Sequence, residues 1–200
     1  MGIKGRKRRL RNFQQRAKDF AAGCRKRTGY KTLELDGKPL SVGAGKHRRL
    51  VGKFSDNDML EGQRRQEMLQ SYLRGHKIVP QNYELVQPAS ALIGAEAKKI
   101  ISLPFGVQEF FHRPNLLVLR AFFWGKQVRA GRLRALSKEE FLLCKQLVNQ
   151  YKAVTAQKVE AAAQEIEARF SGAGTYVAMQ NLVVVGITRQ GRLRLAIVDV

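Results

Sequence analysis

The sequence predicts an α+β protein. Three features carry that expectation: an amphipathic basic segment near the N-terminus that runs into an Asp-Gly turn, a long helical periodicity opened by a capping box at Ser137, and paired apolar runs punctuated by glycine near the C-terminal end. Together they predict a basic N-terminal helix and hairpin, a helical middle, and C-terminal β-hairpins packed on a long amphipathic helix. Two hundred residues, 44% of them hydrophobic, suffice for one compact domain with a basic extension. The division read from the charge is a basic arm over residues 1–54 and a single α+β body over 55–200.

Within 5–28, Leu10, Phe13, Ala17, Phe20 and Cys24 recur every three or four residues, a helical stripe with Arg11, Arg16, Lys18 and Arg25 outside it. Alone such a short helix is marginal in water, so its order depends on docking to the body or to a ligand. Two alternating runs around Asp36-Gly37 read as a hairpin, with Pro39 marking an edge strand because proline has no N–H to donate. Residues 43–54 read as a flexible basic linker.

Ser55 is placed to cap a helix that ends near Arg74 with Gly75 as its stop, its apolar side formed by Met59, Leu60, Met68, Leu69, Tyr72 and Leu73. A helix over 90–102 ended by Pro104, and a helical turn over 107–112, are expected next. From Asn115 the run Leu-Leu-Val-Leu-Arg-Ala-Phe-Phe-Trp reads as a strand, paired through Gly125 with a second run containing Val128 and Leu133. Ser137-Lys-Glu-Glu140 is a capping box. It opens one long helix to Phe170, with Phe141, Cys144, Val148, Tyr151, Thr155, Val159, Ala162 and Ile166 as its inner stripe. Residues 176–187 and 192–199 complete a hairpin around Arg189-Gln190-Gly191.

The charge is uneven. The chain has 37 basic and 16 acidic side chains, a net of +21, and residues 1–54 hold 17 of the former and 3 of the latter, a net of +14. Even surplus would read as solubility tuning; two thirds of it in a quarter of the chain reads as a binding layout for a polyanion. Arg6, Lys7, Arg8, Arg9, Arg11, Arg16, Arg25, Lys26 and Arg27 are the phosphate-binding candidates of the opening segment, joined by Lys46, Arg48 and Arg49. A localisation signal or a plain tail competes with this reading, but the basic character runs beyond any short signal.

Gly-Arg-Leu-Arg occurs at 131–134 and again at 191–194. On strands, alternation would put Arg132 with Arg134, and Arg192 with Arg194, on one face for phosphate contact; chance repetition in an Arg- and Leu-rich chain is the competing account. Phe110, Phe111, Phe122, Phe123 and Trp124, with cations nearby, have the composition of a base-stacking platform, against which stands ordinary core packing.

Other motifs fall short of chemistry. Gly43-Ala-Gly45-Lys46 lacks the spacing and the hydroxyl residue of a phosphate-binding loop, since His47 follows the lysine. Glu109 and His112 would supply only half of a Glu-x-x-His metal pairing. Cys24 and Cys144 match neither a metal-ligand spacing nor a disulfide framework, which points to a reducing, intracellular compartment. No cofactor and no metal is expected. No apolar run approaches the roughly 18 to 20 residues that cross a bilayer, so neither a membrane nor, with Arg6 where a hydroxyl residue is required, a myristoyl anchor is expected. An arginine-rich, acid-poor opening also fits an organellar import segment, although basic character reaching Lys53 reads better as a working part.

These features predict a non-catalytic protein that grips the phosphate backbone of DNA or RNA through its N-terminal segment, largely without regard to sequence. A structural subunit of a ribosome-like or virion assembly, with protein neighbours as well as nucleic acid, is the alternative. An enzyme of nucleic-acid processing, its residues gathered from distant positions, ranks third, because acids must converge on a metal or reacting group and nothing in the sequence selects such a set.

Overall fold

A computed structural model of the chain describes residues 12–21, 30–35, 38–43, 50–53, 56–93, 105–124, 127–129, 132–134, 136–170 and 179–198. Helices flank separate clusters of strands, and the chain is α+β. It divides into two compact units: the described residues of Met1–Gln63 and Pro88–Phe111 form one, and those of Arg64–Gln87 and His112–Val198 the other.

The first unit holds helix α1 (residues 12–21) and strands β1 (Tyr30–Leu35), β2 (Lys38–Gly43), β3 (Leu50–Lys53), β5 (Ser90–Ile93) and β6 (Phe105–Glu109). These strands make an antiparallel sheet in the order β1-β2-β3-β6-β5. Strands β1 and β2 pair as the expected hairpin requires, with Leu35 opposite Lys38 and Tyr30 opposite Gly43; Asp36 and Gly37 lie outside the described residues. Pro39 is not on an edge strand, because β2 lies between β1 and β3. Its tolerance has a local reason: among the described residues β3 meets β2 only at Ser41 and Val42, and Pro39 is paired with Glu34 of β1 alone.

Part of the expected linker is β3, an interior strand whose Leu50 and Val51 are buried. Residues 90–93 of the expected helix and 107–109 of the expected helical turn are likewise strands, with Ala91 opposite Val107 and Ser90 opposite Gln108; residues 94–102 lie outside the described residues. Short apolar runs fit either period, and here a sheet partner decides.

Helix α2 (Asp56–Gly75) begins at the expected place and continues into the second unit. There Leu69 and Leu73 enter the core with Tyr72 packed against it, while Met68 is 53% exposed. Its end is a Schellman motif: the Ile78 N–H donates to the Leu73 carbonyl at 2.8 Å and the Lys77 N–H to the Arg74 carbonyl at 3.1 Å. The left-handed residue is therefore Lys77, with φ 53°, rather than Gly75.

The second unit adds β4 (Tyr83–Val86), α3 (Leu116–Trp124), β7 (Gln127–Arg129), β8 (Arg132–Arg134), α4 (Lys138–Gln150), α5 (Ala156–Phe170), a 3₁₀ turn (Met179–Asn181), β9 (Leu182–Ile187) and β10 (Leu193–Ile197). Its three-stranded sheet runs β4-β10-β9: β10 is parallel to β4 and antiparallel to β9. Leu119, Leu147, Val159, Ile166, Leu193 and Leu195, none more than 2% exposed, form the middle of the core between this sheet and the helices.

Residues 116–124 are a helix, not a strand. Asn115 caps it, its Oδ1 accepting from the Val118 N–H at 2.8 Å, and Leu116, Leu119 and Ala121 supply its buried side. The hairpin that follows is the short β7–β8 pair. The stretch read as one helix over 138–170 is two. Tyr151 leaves helical geometry with φ −125° and ψ 84°, and Thr155 starts α5, its Oγ1 accepting from the Lys158 N–H at 3.4 Å. Buried Val154 and Val159 flank that start at the positions of a hydrophobic staple. The capping box of α4 is as expected: Glu140 N–H donates to Ser137 Oγ at 3.1 Å and Ser137 N–H to Glu140 Oε2 at 2.8 Å.

The hairpin of β9 and β10 turns through Gly191, whose φ is 81°. Beside it Val185 has no partner, since Arg194 opposes Gly186 while Leu195 opposes Val184. At this bulge the Tyr151 hydroxyl lies against Gly186, 3.3 Å from where a side-chain carbon would stand.

Candidate nucleic-acid interface

Helix α1 is the described part of the basic opening segment. Phe13, Ala17, Phe20 and Ala21 are buried in one cluster with Leu50 of β3 and Val107 of β6, with Ala89 and Ala91 packed against it. Phe13, Ala17 and Phe20 of the expected stripe thus form the docked face, while Leu10 and Cys24 lie outside the described residues. The other side of α1 is polar: Arg16 and Lys18 are exposed, and Gln15 donates to Asp19 at 3.0 Å along the helix.

Docking in this way solves two problems at once. Burying two phenylalanines stabilises a helix too short to persist alone, and it fixes which side faces outward. Of the other opening candidates, Arg6, Lys7, Arg8, Arg9, Arg11, Arg25, Lys26 and Arg27 lie outside the described residues, as do Lys46, Arg48 and Arg49.

The repeated Gly-Arg-Leu-Arg segments differ in setting. The first provides β8, where Arg132 pairs with Arg129 and Arg134 with Gln127. In the second, Arg192 precedes the strand and acts as a brace: one Nη donates to the Pro80 carbonyl at 3.0 Å and the other to Gln190, while Nε is buried without a partner. Arg194 is on β10, exposed, with its Nε 4.0 Å from Glu84 Oε2. At such a distance, with both groups in water, the pair contributes little.

Several other cations are engaged by the fold. Arg120 holds Glu160 through two parallel bonds of 2.8 and 2.7 Å and reaches Glu167 at 3.2 Å, joining α3 to α5. The Glu160 bond pushes its pKa above the ordinary arginine value. Arg169 pairs with Glu165 at 2.9 Å, one turn away. Glu165 in turn accepts the Gln81 and Asn82 N–H groups at 3.0 and 2.9 Å. Burial alone would raise its carboxyl, but the two backbone donors and Arg169 outweigh that and hold it below its ordinary value. Arg113 lies over the Tyr151 ring, 5.8 Å from its centre, and donates to Gln150.

Of the aromatic candidates, Phe122 and Phe123 are half-buried with ring centres 5.4 Å apart, and Trp124 is 62% exposed. On a helix Phe122 and Trp124 point about 200° apart, so they do not share a side as they would on a strand. Phe110 and Phe111 are partly buried in the first unit. Glu109 ends β6 and its carboxylate accepts the Ala89 N–H at 3.4 Å, so the helical Glu-x-x-His spacing does not form. Among the described residues no group of three His, Cys, Asp or Glu side chains is placed to hold a metal ion, and no helix is long and apolar enough to cross a membrane.

The sequence reading missed one exposed stripe. Lys138, Phe141, Leu142 and Lys145 of α4 are all exposed, although Phe141 was placed on the inner side of that helix. The spacing of 138, 142 and 145 held the signal, since those positions share a face. Comparison with protein-family models, with curated proteins and with solved structures returned no match.

Proposed function

We propose that this protein is a non-catalytic nucleic-acid binder that grips the phosphate backbone through its basic N-terminal segment, largely independent of base sequence. The observation that carries the reading is the concentration of charge, 17 basic against 3 acidic side chains in residues 1–54. The docking of α1 supports it, because the buried stripe commits the apolar side to the sheet and leaves Arg16 and Lys18 in solvent. Arginine suits the role, since its guanidinium bonds phosphate in pairs and stays charged at any physiological pH.

The test is fluorescence anisotropy with a 20-base-pair duplex and a 20-nucleotide single strand at 50 and 200 mM salt. If roughly 6 to 10 phosphates are contacted, affinity falls about 10³- to 10⁵-fold across that range. Replacing Arg6, Lys7, Arg8, Arg9 and Arg11 together by Gln lowers both the affinity and the steepness of that response. A flat salt response, or undiminished affinity in the replaced protein, overturns the reading.

A further inference from the structure

The exposed stripe of α4 has no role in the core. That helix buries Cys144 and Leu147 on its inner side, with Leu143 and Val148 partly covered. On its outer side Lys138, Phe141, Leu142 and Lys145 follow one another at intervals of three, one and three residues, which places them along one face. Phe141 and Leu142 are 48% and 46% exposed. The Phe141 ring is held from beneath by Phe122 of α3, their centres 5.3 Å apart, and Phe122 in turn meets Phe123. The result is a supported aromatic surface open to solvent, with a lysine one turn before it and another one turn after it, about 10 Å apart along the axis.

We infer that this face binds single-stranded nucleic acid, with an unpaired base stacked on Phe141 and phosphates of the same strand at Lys138 and Lys145. Charge selects this occupant over the alternatives. Residues 125–146 hold six basic and two acidic side chains, and the chain as a whole carries +21, so a second copy would approach against strong repulsion whereas a polyanion is attracted. Aromatic support selects single strands over duplex, because the bases of a duplex are already stacked on one another and an open strand offers a ring face. The inference deepens the proposed function: it rests on the reading of the chain as a nucleic-acid binder and adds selectivity that phosphate contacts alone do not give.

The experiment compares a 20-nucleotide oligouridine with a 20-base-pair duplex, binding to each measured by anisotropy over a salt series from about 50 to 200 mM. The proteins are the full chain, Phe141→Leu, the double change Lys138→Gln with Lys145→Gln, and the arm variant described above. Leucine keeps an apolar contact for Phe122, and the glutamines sit at exposed positions, so these variants retain the fold; circular dichroism confirms it. Phe141→Leu is expected to weaken oligouridine binding about 5- to 100-fold and to leave duplex binding within about twofold. The double lysine change lowers the logarithmic salt slope for oligouridine by about 1.4, at 0.7 per phosphate contact.

Oligouridine affinity unchanged in Phe141→Leu overturns the inference, as does an equal loss on duplex. Self-association of the full chain that Phe141→Leu abolishes, without an effect on oligouridine, assigns the face to a second copy and overturns it too. The two proposals fail separately. Duplex binding that depends on the arm, with no effect of Phe141→Leu, removes only the stacking face; oligouridine binding that depends on Phe141, with no effect of the arm variant, removes only the arm.

Discussion

Lys77 occupies a backbone conformation that favours glycine. With φ at 53° it is the one described non-glycine residue with positive φ, and it is there because the Schellman motif at the end of α2 needs a left-handed residue between Arg74 and Ile78. The left-handed region costs an L-residue with a side chain about 1 to 2 kcal/mol, and glycine almost nothing. Lys77 is exposed, so its side chain supports no packing that would be lost. Lys77→Gly is therefore expected to stabilise the protein by about 0.5 to 1 kcal/mol, less than the strain relieved because glycine is also freer in the unfolded chain; a rise in the urea midpoint with unchanged slope checks it. At this scale the sequence places the helix end to within a residue, near Arg74 against Gly75 in the structure, but not the left-handed position, which falls at Lys77 where Ile78 packs against the same core as Leu73.

Between elements, much of the second unit is joined by carboxylates of α5. Glu165 binds the N–H groups of Gln81 and Asn82 just ahead of β4, and Glu160 binds Arg120 of α3. The folded protein holds the Glu165 carboxyl below its ordinary value, so its contribution is fully present at neutral pH, above the unfolded value of about 4, and is lost as pH falls through the lower folded value. Glu165→Ala leaves two backbone donors without their acceptor and is expected to cost about 1 to 3 kcal/mol near pH 7. Thermal melts at pH 7 and pH 3 check both points: the gap between wild type and variant narrows at the lower pH.

Element boundaries in the sequence were readable where a cap announced them. Ser137 with Glu140, and Asp36-Gly37 between alternating runs, gave the start of α4 and the first hairpin without help from the rest of the fold. The apolar run of residues 116–124 fits a strand, yet Val118 is the only β-branched residue in it and Asn115 stands at the capping position. The 138–170 periodicity passed unbroken through Tyr151 and Thr155 because both helices present apolar residues to one core, and periodicity alone does not show a change of direction. Strands β5 and β6 become legible only with their sheet partners in place, β6 between β3 and β5. As for the candidate site, the burial of Phe13, Ala17 and Phe20 is legible in their spacing, whereas the outer stripe of α4 is hidden because Phe141 fits either face.

For the whole molecule, charge sets two opposite responses to salt. A net +21 on two hundred residues repels itself in the folded state more than in the expanded chain. Raising sodium chloride from 20 to 300 mM, which shortens the screening distance from about 20 Å to below 8 Å, is expected to raise the melting temperature of the free protein, while it weakens any complex with nucleic acid. A melting temperature that falls or stays level in the free protein would show that local ion pairs such as Arg120 with Glu160 outweigh the long-range repulsion. The distribution of charge was the most legible property of this chain, because it needs no fold to be read. Chain order matters in another way. Strand β10 is the middle of its sheet and lies parallel to β4, which precedes it by more than a hundred residues. During translation, β4 and β9 have no common neighbour until residues 193–197 clear the exit tunnel, so more than a hundred residues separate the emergence of β4 from the closing of this hydrophobic centre. A ribosome stalled shortly before that point would hold a nascent chain with Tyr83 and Val184 uncovered, a natural client for a chaperone.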